Sequence, residues 1–335
     1  MSVKNHGKTI QIPPSRIMSF FIAILSGLLG GLGGIGYKIS GAGKVNALQS
    51  ASVLAFFGVI FFGIRAAMFG EWQSLSWQMI VLTIVTGVAQ YLGQIMLKVT
   101  LDMGPLSLVW CAAALQFMPA IIFSYFAYNE PFTFFYFCAL VALFAAIVSA
   151  SFGQEAPEDD KLRSPAWLFG LALLAMLTLF SSCAIGMKFG WYYHVPGSEE
   201  SLMQNNGNVF FCLVYAAIFI FCTADVIVRK TWHFSTKGWI GNFMLAFGTI
   251  LQFTLQKAVL HLPASLLFAL SCSASILLTC IVSTTFFHEK RTRSWYLTLC
   301  FALMAILFMA VPTPQKDTSE PAIQEGSKPL IEKEI

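Results

Sequence analysis

The chain has 335 residues, 57% of them hydrophobic and only 11% charged, with a net charge of +4 and a mean hydropathy of +0.73. Water-soluble domains carry about a quarter charged residues, so this composition leaves too little polar surface for a soluble protein and reads as an all-α integral membrane protein. The positive charge forms no block of the kind that binds nucleic acid. The eight cysteines fall singly in apolar segments, with no C-x-x-C pair, which excludes a zinc ribbon or a disulfide framework and makes them small packing residues.

Residues 1–16 form a short tail containing Lys4, Lys8 and Arg16. The apolar run that follows, 17–37, has the length of a span and lacks a small-residue cleavage site, so it reads as an uncleaved first span. Further apolar segments lie at roughly 48–69, 76–101, 105–127, 132–152, 165–192, 207–228, 238–261, 263–287 and 294–311. Each can cross a ~30 Å hydrocarbon layer as a helix rising 1.5 Å per residue. The polar linker 153–164 divides a first five-span region (17–152) from a second (165–311), and the charged tail 312–335 is expected to be disordered. Ten spans place both termini on one side. Lys and Arg are more numerous in the odd-numbered loops, and by the positive-inside rule this puts the termini outside.

Span one holds the stretch GLLGGLGGIGYKISGAGK, residues 27–44. Gly31, Gly33 and Gly36 match G-x-G-x-x-G, but no strand precedes them, and a dinucleotide cradle needs a strand before it and a helix opening after it. Gly43-Lys44 is followed by Val45 where a P-loop requires Ser or Thr. Gly27, Gly30, Gly31 and Gly34 instead fall at i, i+3, i+4 and i+7. This is a small-residue face that lets helix backbones approach closely in lipid, or that loosens span one so it can bend. No cofactor site follows from these glycines.

The two regions repeat one another. LKVTLDMGPLSLVW…AYNEPFT (97–133) aligns without a gap on QKAVLHLPASLLFA…FFHEKRT (256–292), matching Lys98 with Lys257, Leu101 with Leu260, Glu130 with Glu289 and Thr133 with Thr292. IGYK (35–38) likewise echoes IGMK (185–188). Five spans per repeat make the second repeat enter the membrane in the opposite sense, an inverted repeat of the kind used for alternating access. Ten spans in two halves, each closing with Glu-x-x-Thr before its last span, resemble the EamA-type members of the drug/metabolite transporter superfamily. The stretch 107–149, with Pro119 in the fourth span, matches that family's fourth and fifth spans, whereas Leu278 stands where a second proline would recur. The resemblance covers nearly the whole chain apart from its ends. It implies a ten-helix transporter with cytosolic termini, opposite to the charge distribution, so the orientation stays open.

Polar side chains in lipid are costly and turn toward a cavity or one another. Thr86, Gln90, Gln94 and Lys98 recur every four residues in span three, and Thr249, Gln252 and Gln256 share a face of span eight beside Lys257. They are candidates to bind solute, with Gln116 of span four; hydrogen bonding between helices is the alternative. Lys38 and Lys188 are candidate substrate or gate residues, with snorkelling to the headgroups as the alternative. Trp110 and Tyr91 could wall a cavity or pack. Glu130 and Glu289 precede helices, where a carboxylate suits the positive end of the dipole, and read as structural caps. His194, His261 and His288 lie at segment ends.

Acids are missing from the span middles: Asp102 sits at a span end, Asp225 can pair with Arg229 at i+4, and Glu71 lies in a loop. A cation exporter needs a buried carboxylate. The expected activity is therefore secondary or facilitative transport of a neutral, zwitterionic or anionic metabolite, such as an amino acid, sugar or phosphorylated compound, without enzymatic chemistry or metal. A multidrug exporter is the alternative, ahead of an integral membrane enzyme or scaffold. The partners are a small metabolite and the lipid bilayer, with a homodimer left open. The absence of glycosylation sequons favours a bacterial inner membrane.

Overall fold

Backbone N–H and C=O groups find no water in hydrocarbon, so apolar sequence must pair them within helices. The computed structural model describes residues 2–5, 8–11, 16–103, 109, 113, 115–130, 133–152, 166–194, 200–286 and 293–310. A two-stranded antiparallel hairpin, Ser2–Asn5 with Lys8–Gln11, precedes the first helix. Among the described residues the helices are α1 (Arg16–Ala42), α2 (Ala47–Met68), α3 (Trp77–Met103), α4 (Met118–Tyr128), α5 (Phe134–Phe152), α6 (Ala166–Tyr192), α7 (Leu202–Val228), α8 (Thr236–Ala258), α9 (Ala264–Thr285) and α10 (Arg293–Ala310). Six of them, α1, α2, α3, α6, α7 and α8, are long and apolar enough to cross a membrane. The chain is an all-α, multi-pass membrane protein.

Local chemistry sets the helix ends. Asn46 caps α2, its Oδ1 accepting from the Gln49 N–H at 2.7 Å, and Ser235 caps α8 through the Gly238 N–H. Ser201 and Gln204 form a reciprocal capping box, so α7 begins five residues before the expected 207, with a non-helical kink at Asn206 (φ −132°, ψ 24°). In the fourth apolar segment the described helix starts at Met118, after a 3₁₀ turn over Leu115–Phe117. Pro119 stands in its first turn, where its missing N–H costs nothing.

The helices pack mainly across the two regions. α1 lies against α8 and α9, while α6 lies against α3 and α4. α2 pairs with α7 and α5 with α10; α3 also touches α7, as α8 touches α2. Two trios result, α1/α8/α9 and α3/α4/α6, each containing one helix exchanged from the other region.

Glycines make the α1–α8 crossing close. A methyl group on Gly36 would lie 2.5 Å from the Leu245 nitrogen and 2.6 Å from the Gly241 carbonyl oxygen, and one on Gly248 would lie 2.6 Å from the Leu29 oxygen. The expected single face of Gly27, Gly30, Gly31 and Gly34 is divided. Gly27 and Gly31 press on the α9 backbone at Ser271 and Ser275, whereas Gly30 faces the Gln252 side chain of α8. Gly34 is buried. Gly33 and Gly36, which belong to the spurious nucleotide fingerprint, complete the α8 contact.

Candidate functional site

Between the trios lies a cavity of about 120 Å³, traced by the centre of a water-sized sphere. α1 contributes Gly30, Gly33 and Tyr37, α8 contributes Thr249, Gln252 and Phe253, and α9 contributes Cys272 and Ser275. Gln90 and Gln94 of α3, Gln116 and Phe117 of the 3₁₀ turn before α4, and Phe180 of α6 face them. Leu54 of α2 and Tyr215 of α7 close the sides. Among the described residues, no Asp, Glu, Lys, Arg or His lines it.

Five of the sequence candidates, Gln90, Gln94, Gln116, Thr249 and Gln252, therefore meet in one cavity. The Nε2 of Gln90 donates to the Phe180 carbonyl at 2.8 Å and to Ser182 Oγ at 3.3 Å, while Gln94 Oε1 accepts from the Tyr37 hydroxyl at 3.1 Å. Gln116 and Gln252 hydrogen-bond to no other described residue. Gln252 and Thr249 have room because Gly30 and Gly33 stand opposite: a methyl on Gly30 would come within 2.7 Å of the Gln252 amide. Gly30→Ala is accordingly expected to displace Gln252 and weaken binding of a transported solute by about tenfold, read by titration calorimetry, with little change in melting temperature, because the obstructed group is a mobile side-chain end.

The other candidates lie elsewhere. Thr86 is buried against Gly186 of α6. Lys98 is half-buried on α3 and does not line the cavity. Gln256 is fully buried one turn beyond Gln252, donating to Ser271 Oγ at 3.1 Å. Tyr91 stacks on Phe221 at 5.2 Å, away from the cavity. Lys38 is half-buried near the end of α1. Trp110, His288 and Glu289 lie outside the described residues. His194 bonds the Tyr192 carbonyl two residues before it, and His261 meets Ser19 Oγ at 3.1 Å. Asp225 and Arg229 pair along α7 at 2.7 Å.

Two lysines that were candidates for solute or gate duty are held by carboxylates at one end of the bundle. Lys188 of α6, fully buried, donates to Glu130 Oε1 at 2.8 Å and to the carbonyls of Leu260 and Leu262 at 3.2 and 2.6 Å. The Tyr192 hydroxyl also donates to Glu130 Oε1, and the Ala264 N–H, at the start of α9, donates to Oε2. Glu130 does cap a helix, but the helix is α9 of the other trio and not the α5 that follows it in sequence. Lys257 donates to Glu71 Oε1 at 3.2 Å, and Glu71 accepts from the Asn208 and Val209 N–H groups at the α7 kink and from Asn208 Nδ2. Glu71 was expected to be an unremarkable loop acid. It is 7% exposed, and its carboxylate receives N–H groups freed where Asn206 breaks the helix. No local signal marks it, because its partners are distant in sequence.

These contacts gather the Glu71 turn, the start of α7 and the ends of α6 and α8 at one end of the bundle. Gln252 lies five residues before Lys257, so about 7.5 Å of helix separates the cavity from this end. No protein-family model and no curated protein matches the chain. Among solved structures, one described only as the crystal structure of a protein superimposes with a TM-score of 0.66, covering 88% of this chain and 97% of the other at 14% identity. At that identity the likeness concerns the fold alone.

Proposed function

We propose that the protein is a secondary or facilitative transporter of small organic metabolites that works by alternating access. The observation that carries this reading is the cavity, whose polar walls come from both trios, together with the bonds that join the trios beyond one end of it. The packing scheme supports an inverted repeat: moving each helix five places along exchanges α1–α8 with α6–α3 and α1–α9 with α6–α4, and returns α2–α7 and α5–α10 to themselves. On this reading all ten apolar segments are spans. The resemblance to EamA-type drug/metabolite transporters agrees with it.

The trios would rock about the cavity, and the hydrogen bonds that tie Lys188 and Glu130 to the α8–α9 turn would break when that end opens. Lys188 and Glu130 belong to the α3/α4/α6 side, and the Leu260, Leu262 and Ala264 groups they hold belong to the α8–α9 turn. Melting-temperature screening of the purified protein against a metabolite library, followed by counterflow of each stabilising compound in proteoliposomes, tests the reading. At least one compound should exchange across vesicles containing the protein and not across empty ones. Compounds that bind without any exchange would contradict it.

A further inference from the structure

Resting on the transporter reading, we infer that the cavity takes an uncharged solute bearing an amide-type edge, a carbonyl beside an N–H, together with a flat apolar body. The first argument is charge. Among the described residues no ionisable acid or base lines the cavity, and Lys188 and Lys257 are engaged by Glu130 and Glu71. A carboxylate, phosphate or ammonium placed there would lose its hydration without meeting a counter-charge, which disfavours the ion. This narrows the expected substrates to the neutral ones.

The second argument is the order of donors and acceptors. Gln90 turns its amide nitrogen to the Phe180 carbonyl, which can only accept, so its Oε1 is left as an acceptor. Gln94 gives its Oε1 to the Tyr37 hydroxyl, so its Nε2 is left as a donor. The two residues are one turn apart on α3, with Cβ atoms about 5–6 Å apart. Together they present an acceptor and a donor side by side, the complement of an N–H next to a C=O. Gln252 and Gln116 carry both functions and hydrogen-bond to no described residue. Phe117, Phe180 and Phe253 supply aromatic walls for a flat solute.

The test uses matched pairs differing in charge: nicotinamide against nicotinate and uracil against orotate, with glucose as an uncharged solute lacking an amide. Binding to the purified full-length protein is followed by titration calorimetry. Nicotinamide or uracil should bind at least tenfold more tightly than its carboxylate partner and than glucose. Gln252→Leu should weaken that binding at least tenfold while melting temperature stays unchanged, and Gln90→Leu should weaken it too. Equal or tighter binding of nicotinate or orotate would overturn the inference. So would binding of glucose alone, or of none of the five probes. In those cases counterflow with the library compounds still decides the transport reading separately.

Discussion

Lys188→Met is expected to cost about 3–5 kcal/mol of stability, the penalty for stranding a buried charge. Glu130 is 6% exposed and Lys188 has no exposure at all, so water cannot replace the lost ammonium. The Leu260 and Leu262 carbonyls would lose their donor as well. Neutralising the carboxylate at the same time, with Glu130→Gln added, should recover part of the loss, since no buried charge then remains. Arg229→Ala supplies the contrast: it also breaks a 2.7 Å ion pair, but its side chain is 56% exposed. Exposed pairs contribute about 0–1 kcal/mol. Unfolding in detergent, followed by intrinsic fluorescence, should show a large fall for Lys188→Met and a small one for Arg229→Ala. Equal effects would show that the buried cluster does not hold the two trios together.

Gly36→Ala is the second large effect. The added methyl meets backbone at 2.5 and 2.6 Å, and backbone cannot turn aside as a side chain can. α1 and α8 must therefore separate, losing the dispersion contacts that drive helix association in lipid. The expected loss is about 1–3 kcal/mol, with Gly36→Leu preventing assembly. Gly170→Ala should have the opposite sign. Among the described residues nothing lies within 4 Å of a methyl placed there, and alanine is about 1 kcal/mol the better helix former. Paired melting curves of the two alanine variants measure both effects. A Gly36→Ala protein as stable as Gly170→Ala would contradict the close crossing.

Helix positions were legible because apolar length carries them, whatever the helices pack against. Partners were not. The first-span glycines read as one face on a 3.6-residue period, yet α1 meets two helices, so Gly27 and Gly31 face α9 while Gly30, Gly33 and Gly36 face α8. The glutamine line on α3 was legible only in its middle. At 100° per residue a four-residue step drifts by 40°, so Thr86 and Lys98 stand about 120° apart around the helix. Gln90 and Gln94 consequently reach the cavity, Thr86 turns to Gly186, and Lys98 leaves the lining. Lys257 was visible as the repeat partner of Lys98, but its engagement depends on Glu71, an acid with no counterpart in the repeat alignment and partners more than 130 residues away. Tyr37 and Phe180, which orient the two glutamines, fall in apolar runs where nothing distinguishes a wall residue from a packing one.

Alternating access requires the two ends of the trios to move in opposite directions. Spin labels at Ala258 and Phe126, exposed residues near the Glu130–Lys188 end, and at Ala42 and Asp102, exposed residues near the other, report each separation. Measured by pulsed dipolar spectroscopy in proteoliposomes, the Ala258–Phe126 distance should lengthen when a transported solute is added while the Ala42–Asp102 distance shortens. Two distances that rise and fall together, or that both stay fixed while counterflow proceeds, would contradict the account.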